Sequence, residues 1–172
     1  MKKRDIVISL AIITGALLVF FLYRGKAGYV KIETPDVQMR LASGWAGSAT
    51  ISSGDAPAKL SARVYRPVHL DIVANQDGQR WALESSGPWG QLASIKVKNG
   101  ETTVLKPGPP FTIQPKVNRR GSQVNVDFSI VGRAGEEYQK IVTKNGQRAS
   151  APAVKVIDEA GDVLASGKFA YG

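Results

Sequence analysis

LSARVYRPVHLDIVA, residues 60–74, is the stretch that decides how this chain folds. Leu60, Ala62 and Val64, then Val68, Leu70 and Ile72, recur at every second position on either side of Arg66-Pro67. Period two marks a half-buried β-strand, because successive side chains leave a strand on opposite faces. Pro67 has no backbone N–H to give a ladder, so the stretch predicts a strand pair or one bent strand broken at Pro67. Asn75–Gly78 then turns the chain, and Trp81 and Leu83 begin a further strand that ends at Ser85-Ser86-Gly87-Pro88.

Alternation continues in both directions. YVKIETPDVQMRL, residues 29–41, predicts two short strands around Pro35-Asp36, and the small-residue stretch 42–58 a strand between loops. Downstream, Phe111, Ile113 and Val117 alternate, as do Val124, Val126, Phe128 and Ile130 after an Arg120-Gly121-Ser122 turn. Ala153–Ile157 and Val163–Tyr171 flank a turn through Glu159–Asp162, with Gly167 a candidate bulge. No amphipathic helix appears after Tyr23. Eighteen Gly and nine Pro suit many short strands joined by turns, and that spacing predicts an all-β sandwich. Lys106-Pro107-Gly108-Pro109-Pro110 cannot continue a ladder and reads as a semi-rigid spacer. It divides a first β-module, 28–106, from a second module or half, 107–172.

IKVKNGETTVL, residues 95–105, predicts a hairpin, since Asn99-Gly100 between strand patterns accepts the positive φ that tight hairpin turns require. This stretch resembles the closing strands of prealbumin-like and carboxypeptidase-regulatory-like modules. APAVKVIDEAGDVLASGKFAYG, residues 151–172, is similar to the terminal hairpin of immunoglobulin-like modules in bacterial envelope proteins. The resemblance rests on structural turns. It implies an immunoglobulin-like or prealbumin-like β-sandwich with a non-catalytic habit, and carries over no functional residues.

The N-terminal region has a different character. IVISLAIITGALLVFFLY, Ile6–Tyr23, is uninterrupted by charge and would rise about 27 Å as a helix, close to the hydrocarbon thickness of a bilayer. It predicts a single signal-anchor helix within residues 1–27, contacting lipid through Ile6, Leu10, Ile13, Leu17, Phe20, Phe21 and Tyr23. Lys2, Lys3 and Arg4 outweigh Arg24 and Lys26, so the N-terminus is expected inside and the remainder outside the cytoplasmic membrane, in the periplasm or at the cell surface. The rival reading is a cleaved signal peptide ending at Gly25-Lys26-Ala27, against which stand the length of the run and its flanking charges. No Cys follows the run to carry a lipid, and no Glu lies near its start as in pilin-type segments.

Composition narrows the chemistry. The chain has no cysteine, which excludes disulfides, thiolate metal sites and a Cys nucleophile, and fits a bacterial envelope setting. The formal charge is +9, but five basic residues and one acid lie within residues 1–27. Beyond them no Lys/Arg run exceeds Arg119-Arg120, so nucleic acid is not an expected partner. His69 is the single histidine, with Asp71 beside it on the same strand face. A hydrolase would need a serine presented to that pair, and no G-x-S-x-G elbow exists. Glu136-Glu137 and Asp158–Asp162 lack glycosidase spacing and EF-hand periodicity. No enzyme activity, cofactor or metal is expected. The candidate binding surface consists of Trp89 in Gly87-Pro88-Trp89-Gly90, Trp81, and Glu136 and Tyr138 in the long polar loop 132–150. The expected role is that of a membrane-anchored interaction protein, docking an envelope protein partner or serving as accessory subunit of a membrane complex. The alternative is a glycan- or peptidoglycan-binding module that stacks sugars on its tryptophans.

Overall fold

Val37, Met39 and Leu41 alternate with Gln38 and Arg40, and that alternation builds the centre of the molecule. The computed structural model describes residues 25–44 and 47–169. Strands are numbered in chain order. β2 (Val37–Ala42) lies between β3 (Ser48–Ser52) and β5 (Val64–Gln76), and β5 continues to β6 (Gln79–Ser85), β12 (Thr143–Lys144) and β13 (Gln147–Arg148). β7 (Ile95–Lys96) pairs with the start of β5, completing a seven-stranded sheet. A second sheet has the order β4 (Ala58–Ser61), β1 (Ala27–Ile32), β8 (Thr102–Leu105). A third joins β9 (Thr112–Arg120), β10 (Gln123–Val131) and β11 (Glu137–Tyr138), and β14 (Ala153–Ile157) pairs with β15 (Val163–Lys168) as a separate ribbon. The fold is all-β and sandwich-like.

One apolar cluster unites the first three sheets. Val30 and Ile32 of β1 and Leu105 of β8 meet Val37, Met39 and Leu41 of β2, Ile51 of β3, and Leu70 and Ile72 of β5. Phe128 and Ile130 of β10 and Tyr138 of β11 belong to the same cluster, so residues on both sides of 106–110 share a core. The Pro-rich segment is itself held from the far side. Pro107 is fully buried, Gly108 N donates to Glu136 Oε1 (2.5 Å), and Arg133 N donates to Gly108 O (2.8 Å).

The stretch 60–74 proves to be the end of β4 followed, from Val64, by one bent strand, β5. Arg40 pairs with His69 but Leu41 with Pro67, so Val68 is an extra residue in β5, a β-bulge. The bulge reverses which positions face inward. Tyr65 and Pro67 are buried before it, Leu70 and Ile72 after it, while Val64 and Val68, which the simple alternation assigns to the core, are exposed. Residues 95–105 also differ from expectation. Asp77-Gly78 and Asn145-Gly146 have positive φ at both turn positions and close β5–β6 and β12–β13 as tight hairpins. At Asn99-Gly100 only Gly100 (φ 74°) does, and Glu101 N donates to Lys98 O (3.3 Å). Such a turn does not match strand twist, and β7 and β8 part into different sheets, β8 running parallel to β1. In the last ribbon the irregularity falls between Val156 and Ile157, whereas Gly167 pairs regularly with Val154.

The run 6–23, and with it Ile6, Leu10, Ile13, Leu17, Phe20, Phe21 and Tyr23, lies outside the described residues. Among the described residues no helix is long and apolar enough to cross a membrane.

Candidate functional site

The large sheet turns one face to the core and the other to solvent, and the outer face carries a group of polar side chains. Thr50 comes from β3, Gln38 and Arg40 from β2, His69 and Asp71 from β5, Glu84 from β6 and Thr143 from β12. Two open clefts divide this face. One, of about 350 Å³, is lined by Gln38, Arg40, Thr50, His69 and Asp71. The other, of about 550 Å³, runs from Asp36 past Asp71 to Arg80 and Glu84. Asp71 is common to both.

The bulge at Val68 creates this arrangement. Before it, odd-numbered residues of β5 point into the core; after it they point outward, which brings His69 and Asp71 onto the solvent face. His69 Nε2 lies 2.9 Å from Asp71 Oδ1, with each side chain about one-third exposed (31% and 33%). Across the strand boundary Asp71 pairs in register with Glu84. His69, Asp71 and Glu84 each offer a ligand atom lying within 4.8 Å of the others. Directly opposed carboxylates on neighbouring strands repel. His69 offsets part of that repulsion on the Asp71 side.

Glu136 and Tyr138, expected on a contact surface, are buried. Glu136 is wholly inaccessible, its Oε1 accepting from Gly108 N (2.5 Å) and the Tyr138 hydroxyl (2.7 Å) and its Oε2 from Ala134 N (3.0 Å). A buried carboxylate survives when donors satisfy its lone pairs, and here three do. Burial first, and then the hydrogen bond to the Glu136 carboxylate, push the Tyr138 phenol far above its ordinary range. Contrary to the expected contact surface, this Glu ties a loop to the Pro-rich segment and presents nothing to a partner. Around it, Ser85 Oγ donates to Glu137 O (2.5 Å) and Gln139 N to Glu84 O (2.8 Å), so the same loop is laced to the end of β6.

The tryptophans are half-buried. Trp89 packs against the core beside the Gly87-Pro88 bend, and Trp81 carries the Lys144 ammonium 5.1 Å above its ring. That cation–π contact occupies an indole face that a sugar would need. Trp45 lies outside the described residues. In the acidic turn, Asp158 Oδ1 accepts from Ala160 N (3.0 Å) and Asp162 N (2.8 Å), the work of an Asx turn.

Sequence reasoning missed Glu84. The signal was present: a two-residue turn at Asp77-Gly78 pairs 76 with 79, and counting back along that register sets 71 opposite 84. No family model, no curated protein and no solved structure matches the chain.

Proposed function

We propose that the chain is a single-pass, membrane-anchored interaction protein. In this reading an immunoglobulin-like or prealbumin-like head outside the cytoplasmic membrane docks a protein partner, as a structural or accessory subunit of an envelope or membrane complex. The run 6–23 and its flanking charges support the anchor and its orientation. The parallel pairing of β1 with β8, the first and last strands of residues 28–106, supports a sandwich module closed by its own ends.

The observation that carries the interaction reading is the exposure of apolar side chains on two ribbons. The β9–β10 ribbon shows Ile113 (58% exposed), Val117 and Val124 to solvent, and the β14–β15 ribbon shows Ile157, Val163 and Leu164 (66%). A concentration of large exposed aliphatic residues on projecting strands is what a protein-binding surface requires. A groove of about 280 Å³ runs between the ribbons, lined by Val124, Val126, Val154, Val156 and Phe169. The glycan alternative lacks such support, since Trp81 is capped by Lys144 and Trp89 packs inward.

Two experiments test the reading. A photo-crosslinking residue at Val117 or Leu164, introduced in intact cells, should trap one discrete protein, and Val124→Lys should abolish the adduct. A solitary, monodisperse monomer in mild detergent with no adduct from either position would overturn the interaction reading. Protease added to spheroplasts should digest the head, and survival until lysis would overturn the topology.

A further inference from the structure

We propose that His69, Asp71 and Glu84 form a binding site for a divalent first-row transition metal, with Zn²⁺ the best match. The site is separate from the apolar ribbons and does not depend on the interaction reading.

Three features carry the inference. First, the donor set is one imidazole nitrogen and two carboxylate oxygens, a combination used by Zn²⁺, with positions left for water. Its formal charge with neutral His69 is that of two carboxylates, which a divalent ion cancels. Second, the three donors stand on rigid backbone in the middle of a sheet. Asp71 and Glu84 are register partners, His69 is two residues from Asp71 on the same face, and no pair of ligand atoms is more than 4.8 Å apart. Tetrahedral zinc with bonds of about 2.0–2.2 Å brings its ligand atoms to roughly 3.4 Å, so rotation of the exposed Glu84 side chain closes the gap.

Third, the group exists because of a backbone irregularity. Without the extra residue Val68, the phase that buries Tyr65 and Pro67 would carry His69 and Asp71 inward and turn the core residues Leu70 and Ile72 outward. Bulges commonly re-aim a side chain at a functional position. The opposed Asp71 and Glu84 carboxylates are also a standing repulsion that bound metal would convert to attraction. Arg40, the cross-strand neighbour of His69, lines the same cleft and opposes a cation, as does Arg80 at the far end of the second cleft. Removing Arg40 therefore strengthens binding, a response that a purely structural role for His69 does not give.

The test uses the full-length chain purified in detergent without a polyhistidine tag, stripped with chelator and titrated calorimetrically with ZnCl₂ or MgCl₂. One Zn²⁺ per chain is expected, with Mg²⁺ far weaker because it disfavours imidazole and dehydrates reluctantly. Asp71→Asn and Glu84→Gln should each weaken Zn²⁺ by at least about tenfold, the scale on which even outer-shell changes act. His69→Ala should abolish saturation, and Arg40→Gln should tighten binding severalfold. Zn²⁺ should raise the melting temperature of the parent chain and leave that of His69→Ala unmoved. Absence of saturable one-to-one binding would overturn the proposal. So would parental Zn²⁺ affinity in His69→Ala or, should that variant not fold, in the exposed Glu84→Gln.

Discussion

β2 and β9 share one sequence pattern and meet opposite fates. In β2, Val37, Met39 and Leu41 alternate with polar residues and are 2%, 0% and 0% exposed. In β9, Ile113 and Val117 alternate with Thr112, Gln114 and Lys116, yet all nine residues of the strand are exposed. The difference lies in what each strand faces. β2 is flanked by β3 and β5 and shares its core with the β4–β1–β8 sheet, whereas among the described residues β9 pairs only with β10 and its side chains stay exposed. Period two reports that a strand will form, and says nothing of whether another sheet will close over it.

The sharpest way to break this comparison is truncation at matched positions. Leu70→Ala and Leu41→Ala, in fully buried sites, should each cost about 2–5 kcal/mol in urea unfolding. Val117→Ala should stay within about 0.5 kcal/mol, as surface changes usually do. If Val117→Ala costs as much as Leu70→Ala, something covers the ribbon in solution and the contrast between the two strands disappears.

Next in size is the seam that binds loop 132–138 to the Pro-rich segment. A Cβ at Gly132 would lie 2.1 Å from Glu136 Oε1 and 2.9 Å from the Tyr138 ring. Gly132→Ala should therefore destabilise by about 1–3 kcal/mol, the usual cost of overpacking. Glu136→Gln should cost a similar amount, about 1–3 kcal/mol, because an amide NH₂ cannot accept from Ala134 N or Gly108 N and buries an unpaired donor. Parental denaturation midpoints in both variants would show that the seam contributes nothing to the body.

Legibility followed the same divide between local and distant causes. The tight turns at Asp77-Gly78 and Asn145-Gly146 and the strand pattern of residues 29–41 depend on neighbours in sequence, and they were readable. The inward phase of β5 was not, because one bulged residue at Val68 transfers Val64 and Val68 to solvent and Tyr65 to the core. Glu136 read as a surface acid in a polar loop. Its burial depends on amide donors from Gly108 and Ala134, and the Gly108 amide is brought to it by tertiary packing. Of the proposed metal group, His69 and Asp71 were visible as a pair, while Glu84 required the hairpin register to be followed through.

Alkaline pH separates the body from the ribbons more gently. The Tyr138 phenol is raised far above its ordinary value, so the folded state holds its proton when the unfolded state has lost it. Its contribution is fully present below about pH 10, the unfolded value, and is lost as pH rises from there toward the folded one. Stability should decline above about pH 10, and Tyr138→Phe should remove much of that slope while lowering stability at neutral pH by about 1 kcal/mol through the lost hydrogen bond. An unchanged slope in Tyr138→Phe would place the alkaline sensitivity elsewhere.

The smallest effect is expected where body meets ribbon, at Asp127 of β10. Lys140 Nζ lies 2.6 Å and 2.7 Å from its two oxygens, and Phe128 N donates to Oδ1 (2.8 Å). The Lys140 hydrogen bond, followed by that from Phe128 N, holds the carboxyl below its ordinary value. The sign is that of a depressed acid: its contribution exists above the unfolded value, about 3.9, and disappears as pH falls through the lower folded one. Because the pair is exposed, water and salt screen it and its effect on global stability should be slight. A carboxyl titration followed by NMR should place the Asp127 midpoint below about 3.9 and move it upward in Lys140→Ala. An unmoved midpoint would show that the Phe128 amide alone holds the charge.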